Sequence, residues 1–294
     1  MRILLTGATG FLGSALAWHW ARAGHELMLL ARPGSAATRL QGLPPNARIV
    51  RCQTDAERSA LVREMAPQAV VHTACAYGRQ GESAADLLAA NVGLGLVLLQ
   101  ALLDSAEAPA CFLNTGTVLA PEVSLYALSK QQFSQWGQAL GQQHPQRLQF
   151  IDVRLQQMYG PGDDSSKFTT HALRTCRQNL ASLNLTLGEQ QRDFIHVDDV
   201  VQAYDLILQR RAAFASADHI EVGSGQTVSL RRYVETVRRL TGATTTLNFG
   251  AVPYRAHEAM HCVADIARLR SLGWSPRYNL ESGLLQTLQM ETSS

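Results

Sequence analysis

The sequence predicts an α/β protein, a doubly wound parallel sheet with a smaller α/β C-terminal lobe. Three observations carry this expectation. Through the first half, short and continuously apolar runs alternate with helix-length segments, the pattern of strands covered by helices on both faces. The first run, RILLT at 2–6, leads at once into Gly7, Gly10 and Gly13. After residue 155 the alternation breaks at YGPGDDSSKF, and shorter elements follow.

Taken in order, RILLT reads as a buried strand and FLGSALAWHWARAG as a helix ended by Gly24. ELMLLA is a second strand. TDAERSALVREMAP is a helix in which Thr54 and Glu57 have the spacing of a capping box and Pro67 marks the stop. AVVHTA is a strand, 84–104 a helix, ACFLNT a strand, 123–143 a helix and LQFIDVRL a strand. Beyond the break, a helix near 168–180, a strand-like HIEVGS from 219 and a helix over 229–241 compose the second lobe. No internal repeat or low-complexity segment interrupts the chain.

Composition narrows the function classes. The 294 residues are 46% hydrophobic and 17% charged, with a net charge of +2. Nothing in that balance forms the basic footprint of a nucleic-acid or anionic-membrane binder. The five cysteines, Cys52, Cys75, Cys111, Cys176 and Cys262, are odd in number and widely spaced, which predicts a reducing compartment. The start of the chain has no signal-peptide pattern, and LGLVLLQALL at 94–103 reads as too short to span a bilayer. A cytoplasmic location is expected.

The opening glycines have a physical reading. At the first turn of a doubly wound sheet, one glycine permits the tight turn, a second lets the backbone approach a pyrophosphate and a third allows close helix–strand packing. The helix N-terminus then faces the negative charge. The spacing G-x-x-G-x-x-G, after a strand and before a helix, therefore predicts a dinucleotide site; the alternative is a bare structural turn. Between Glu26 and Asp55 there is no Asp or Glu to meet a ribose 2′-hydroxyl. Arg32 ends the second strand instead, with Ser35 and Arg39 close behind, and a guanidinium there suits a 2′-phosphate. NADP(H) is the expected cofactor and NAD(H) the alternative, in which Arg32 is a solvated turn residue. The expected division is residues 1–160 as a Rossmann dinucleotide domain, with a return at about 190–215, and 161–294 mainly as a substrate lobe.

Tyr126 and Lys130, in LYALSK, are spaced to share one side of a helix. A nearby ammonium favours the phenolate, so the pair predicts a tyrosine that exchanges a proton with a hydroxyl or carbonyl. A third group should hold the same substrate oxygen. FLNTGT offers Thr117, with Thr115 as the alternative.

Together TGATGFLG (6–13), NVGLG with Asn91, YALSK, RLQQMYGPGD (154–163), QQRDFIHVDDV (190–200) and PYRAHE (253–258) resemble the extended short-chain dehydrogenase/reductase family, whose members act on nucleotide sugars. NTGT…YALSK and DDSSKF look most similar to the CDP-abequose and CDP-paratose synthase group of 4-ketoreductases. The resemblance implies NADPH-dependent reduction of the 4-ketone of a CDP-linked dideoxyhexose. It implies Tyr126 as proton donor, Lys130 on the nicotinamide ribose and Thr117 on the substrate oxygen. Gly7, Gly10, Phe11, Leu12, Gly13, Arg32, Ala74 and Asn91 would contact the cofactor. Gln157, Lys167, Arg192 and Arg255 would contact the nucleotide sugar, the two arginines through its diphosphate. The competing structural role for Arg192 is an ion pair with Asp193 or Asp198. Val118 and Leu119 stand where family dehydratases carry an acid and a base, so dehydration is not expected. Cys52 stands where the family often has an aspartate near the adenine.

Three other readings stay in view. A 4-epimerase on the same scaffold would use a tightly held NAD⁺ and Tyr126 first as a base. A redox sensor would bind NADP(H) without turnover. His257, Glu258 and His261 spell H-E-x-x-H, but Pro253 and an extended continuation make a poor zinc-site context, and no metal is expected. Helices 84–104 and 123–143 suit a homodimer, and a monomer that buries the apolar helix accounts for the run equally well.

Overall fold

The computed structural model describes residues 1–105, 109–255 and 258–292. It contains thirteen described strands and ten described α-helices in two compact units. The first unit comprises Met1–Arg154 and Tyr204–Ile220; the second comprises Leu155–Ala203 and the chain from Glu221 on.

In the first unit the order is β1 (Arg2–Thr6), α1 (Phe11–Arg22), β2 (Glu26–Ala31), β3 (Ala47–Arg51), α2 (Asp55–Met65), β4 (Ala69–His72), α3 (Ala84–Leu88), α4 (Leu94–Ser105), β5 (Ala110–Thr117), α5 (Leu125–Gln143) and β6 (Leu148–Leu155). The second unit adds β7 (Gln157–Tyr159), α6 (Phe168–Arg177), β8 (Ser182–Leu185), β9 (Gln191–Arg192) and β10 (Phe194–His196). Helix α7 (Val197–Gln209) and β11 (Ala217–Val222) straddle the division, and β12 (Val228–Ser229), α8 (Leu230–Thr241), β13 (Thr246–Phe249), α9 (Ala267–Ser271) and α10 (Leu280–Thr292) complete the chain.

Seven strands form one sheet in the order β11-β6-β5-β4-β1-β2-β3. The pairings β1–β2, β2–β3, β1–β4 and β4–β5 are parallel. Strand order reverses between β1 and β4, which opens a crevice at their carboxyl ends. The apolar runs account for this: Ile3, Leu4 and Leu5, Val70 and Val71, and Phe112 and Leu113 are fully buried, as a sheet covered on both faces requires. Phe112, Phe133 and Phe150 bring the sheet and α5 together with ring centroids 5.7–6.0 Å apart.

Local signals act as expected at several ends. Thr54 Oγ1 accepts from the Glu57 N–H at 3.2 Å while the Glu57 carboxylate accepts from the Thr54 N–H at 3.3 Å, so the capping box is formed. Gly24 ends α1 at φ +81°.

Two expectations change. The sequence places the strand from residue 219 in the second lobe; the structure puts β11 in the large sheet beside β6, because α7 supplies the crossover a parallel neighbour needs. The helix expected over 84–104 forms, and what changes is the reading of LGLVLLQALL as too short to span a bilayer. Residues Ala84–Ser105 run as 22 helical residues through a π turn at Ala89–Gly93, long and apolar enough by composition to cross a membrane. Half of its apolar window is buried, with Leu98, Leu99, Ala101, Leu102 and Leu103 in the core of the first unit.

The second unit has its own core, built on Tyr159, Leu173, Phe194, Tyr233, Val234 and Leu284. Three two-stranded pairings, β7–β10, β9–β12 and β8–β13, hold its backbone.

Candidate active site

The switch-point crevice is shaped by Gly7, which follows β1 at φ +68°. A Cβ on Gly7 would lie 2.6 Å from the Ala74 nitrogen, so the loops after β1 and β4 touch only because none is there. Thr73 Oγ1 donates to the Thr6 carbonyl at 2.7 Å and the Ala74 N–H donates to Thr6 Oγ1 at 3.2 Å. The Gly10 N–H donates to the Gly7 carbonyl at 2.9 Å, closing the turn. A Cβ on Gly13 would stand 2.2 Å from that carbonyl oxygen, so the third glycine lets α1 start against the turn. Gly10 caps α1 without a side-chain bond and no acidic residue occupies the first turn, which leaves the positive helix end to an outside anion. Phe11 and Leu12 belong to that turn. The cradle that Cβ atoms would fill, between two parallel strands and a helix N-terminus, fits the pyrophosphate of a dinucleotide.

Around the cradle, Arg32 is exposed immediately after β2. The Ser35 carbonyl accepts from Arg51 at 3.4 Å, and the Arg39 carbonyl accepts from the Trp18 indole at 2.9 Å. Cys52 is buried just past β3, where burial pushes its thiol up. Asn91 is wholly buried in the π turn. Its amide donates to the Ala76 carbonyl and to Ser129 Oγ, both at 2.9 Å, and its oxygen accepts from the Ala76 N–H at 2.7 Å. It therefore clamps the loop after β4 to α5 one residue before Lys130. Asn91 thereby fixes the loop that borders the cradle.

Along β5 successive side chains alternate between faces. Thr115 and Thr117 share one face, and their hydroxyls have different partners. Thr115 Oγ1 accepts from the Tyr204 hydroxyl at 2.8 Å, whereas Thr117 Oγ1 accepts from the Leu119 N–H at 3.2 Å. Tyr126 enters on the first turn of α5, which Ser124 starts by accepting from the Ala127 N–H at 3.2 Å. Its ring lies 4.9 Å from the Tyr77 ring, and Arg79 sits 5.3 Å over Tyr77. Burial pushes the Tyr126 phenol well above its usual range, with Cys75 adding to the rise and Arg79 opposing it. Loss of solvent is the largest cause, and Arg79 is the cation that opposes it. Lys130 is itself 2% exposed, and burial pushes its ammonium down.

His72 closes the carboxyl end of β4. Its Nδ1 pairs with Thr6 Oγ1 at 2.9 Å, and burial, helped by the Lys130 charge, pushes it down to about 3. The opposite face of β5 carries Asn114 and Gly116. Asn114 Nδ2 donates to Asp152 Oδ1 of β6 at 2.7 Å. Asn114, Asp152 and Tyr204 escape a motif search, although a lone carboxylate inside the apolar run LQFIDVRL is a signal in itself.

The second unit carries the other expected residues. Gln157 is exposed on β7, where its N–H donates to the Asp193 carbonyl at 3.1 Å. Lys167 pairs with the buried Asp163 at 2.9 Å. Arg192 is buried and pairs with Glu258, while Asp193 accepts from the N–H groups of Ser224, Gly225 and Ala264. The ion-pair partner is thus neither Asp193 nor Asp198. The same contact commits the Glu258 of the H-E-x-x-H pattern, whose His257 lies outside the described residues. Arg255 is exposed.

Comparison with known proteins places this arrangement. The chain is 29% identical to a CDP-abequose synthase of Salmonella muenchen over 99% of this chain and 98% of that one. Its fold matches a UDP-glucose 4-epimerase of Thermotoga maritima with a TM-score of 0.85, at 20% identity over all of both chains. A UDP-glucose 4-epimerase of Thermus thermophilus, solved with NAD, matches with a TM-score of 0.82 at 22% identity, again over both whole chains. A family model, NAD dependent epimerase/dehydratase family, matches residues 3–223. With the glycine cradle and the tyrosine–lysine helix both inside that span, the chain belongs to the NAD-dependent epimerase/dehydratase family and is an NAD(P)-dependent oxidoreductase or epimerase.

Proposed function

We propose that this protein is an NADPH-dependent 4-ketoreductase of a nucleotide-linked deoxyhexose. The observation that carries the reading is the near full-length similarity to a CDP-abequose synthase, in a chain that also sets Tyr126 and Lys130 one turn apart on α5.

NADPH supplies the hydride when bound, and the chain supplies position and charge. Gly7, Gly10, Phe11, Leu12, Gly13 and Ala74 would line the pyrophosphate, with Arg32 at the 2′-phosphate and Lys130 at the nicotinamide ribose. Asn91 would hold the loop they share. Thr117 would orient the substrate oxygen and Tyr126 would give it a proton; Thr115 is the alternative hydroxyl. The second unit would bind the nucleotide sugar through Gln157, Lys167, Arg192 and Arg255. For Arg192 this requires the diphosphate to share or displace Glu258. Remote binding of that kind positions the reacting centre. The setting is deoxysugar synthesis in the cytoplasm. Exposed Leu125, Leu128 and Trp136 on α5 and Leu88 on α3 suit a second copy of the chain.

The test is incubation with a panel of 4-keto nucleotide sugars and NADPH or NADH, following absorbance loss. Turnover with NADPH, and an Arg32→Ala variant that weakens NADPH at least tenfold more than NADH, is the expected result. Equal weakening of the two cofactors, or interconversion of 4-hydroxy epimers without net NADPH loss, would overturn it.

A further inference from the structure

The loop between β4 and α3 is held at both ends. At Ala76 the Asn91 side chain takes both backbone groups, accepting from the N–H at 2.7 Å and donating to the carbonyl at 2.9 Å. At Ser83 a capping box closes the start of α3. The Asp86 carboxylate accepts from the Ser83 N–H at 2.9 Å, and Ser83 Oγ accepts from the Asp86 N–H at 3.2 Å. Between these anchors Gly78 and Gly81 turn the chain at φ +70° and +85°, where a side chain would be strained. The Glu82 carboxylate accepts from the Gln80 N–H at 2.7 Å and tightens the second bend.

The first anchor is tied to the helix turn that carries Tyr126. Asn91 donates to Ser129 Oγ at 2.9 Å, and the Ser129 hydroxyl donates in turn to the Tyr126 carbonyl at 2.9 Å. Ala76 and Tyr126 are thus joined through two buried side chains, Asn91 and Ser129. The residue after Ala76 is Tyr77. Its ring packs on the Tyr126 ring, with centroids 4.9 Å apart and planes inclined at 33°. The Arg79 guanidinium, from the tip of the loop, lies 5.3 Å from the Tyr77 ring centroid. Tyr77 is 39% exposed, so core burial does not account for its place.

We propose that Tyr77 is a positioning residue for Tyr126: the clamped loop lays the Tyr77 ring on the Tyr126 ring and so fixes the direction of the reacting phenol. The inference deepens the ketoreductase reading and rests on it for its catalytic meaning. A tyrosine on the first turn of a helix swings about two side-chain bonds, and its hydroxyl sits at the far end of that lever. Proton delivery needs that hydroxyl within hydrogen-bond reach of the substrate oxygen. A displacement of about 1 Å can cost a hundredfold in rate. A second ring restrains the lever, because aromatic pairs favour offset or tilted packing with centroids about 4.5–7 Å apart, and this pair lies inside that range. Arg79 restrains Tyr77 in its turn, as a cation held near a ring. The ring of Tyr77 carries this role, and its hydroxyl is not required.

Two variants separate ring from bulk. Tyr77→Phe keeps the ring, and Tyr77→Leu keeps apolar volume without one. Tyr77→Leu should lower kcat at least about tenfold with little change in either KM, the pattern of an interaction that matters only as the proton moves. Tyr77→Phe should restore the wild-type kcat, and both variants should keep the wild-type thermal midpoint because the loop is exposed. A Tyr77→Leu enzyme with wild-type kcat overturns the proposal, as does a loss confined to KM. A Tyr77→Phe enzyme as slow as Tyr77→Leu overturns it too, since the hydroxyl would then be the working group. A second measurement needs neither substrate nor cofactor. Protein carrying ring-13C tyrosine is followed by NMR, and Tyr126→Phe assigns the Tyr126 signals. Tyr77→Leu should shift those signals by removing the ring current of its neighbour, and Tyr77→Phe should leave them in place. Unmoved signals in Tyr77→Leu overturn the proposal whatever the activity. A wild type that reduces no 4-keto nucleotide sugar yet shows the shift sinks only the ketoreductase reading.

Discussion

Replacing His72 by Gln should flatten the acid side of the stability curve. His72 is fully buried between Phe112 and Phe133, with ring centroids 5.7 and 5.3 Å away, and burial holds it at about 3 in the fold against 6.5 in a free chain. The unfolded chain therefore binds a proton that the folded chain refuses. Stability from this site is complete above pH 6.5, falls as pH drops through the interval and is gone below about pH 3. One proton of difference is worth about 1.4 kcal/mol per pH unit, so moving two units into the interval removes about 3 kcal/mol. Gln keeps a polar contact for Thr6 and does not titrate. His25 and His196, also pushed down mainly by burial, contribute alike to both proteins and cancel in the difference. Urea unfolding at half-unit steps from pH 4.5 to 7.5 should show wild type and His72→Gln converging as pH falls. Parallel curves would refute the claim that His72 is held neutral.

Three further outcomes follow from the same geometry. Gly13→Ala puts a methyl 2.2 Å from the Gly7 carbonyl oxygen, so α1 must retreat. Calorimetric titration with NADPH should then show affinity lower by more than about tenfold in a protein that still folds. Glu258→Ala strands the Arg192 guanidinium, whose side chain is 10% exposed, and should cost about 3–5 kcal/mol by urea unfolding. A paired Arg192→Met, Glu258→Leu protein should recover most of that loss. Thr117→Val should reduce kcat about a hundredfold and Thr115→Val much less. The reverse order would hand the substrate oxygen to Thr115.

Much of this protein is written in local spacing. The three glycines announce their turn because each has a steric reason at a fixed offset from the first strand. Tyr126 and Lys130 announce a shared face because the period of a helix is set by the backbone. Thr54 and Glu57 meet because a cap is closed by residues three apart. The tertiary structure decided whatever depends on distant parts of the chain. It placed β11 beside β6, since pairing across a crossover leaves no mark in the strand's own residues. It gave the Tyr204 hydrogen bond to Thr115 and the Leu119 N–H to Thr117, although both threonines lie on one face of one strand. It paired Arg192 with Glu258, 66 residues away, and passed over the acidic neighbours beside it. It also buried the Tyr126 phenol, because desolvation sums over every atom that displaces water, and a sequence lists those atoms without saying which ones gather around a phenol.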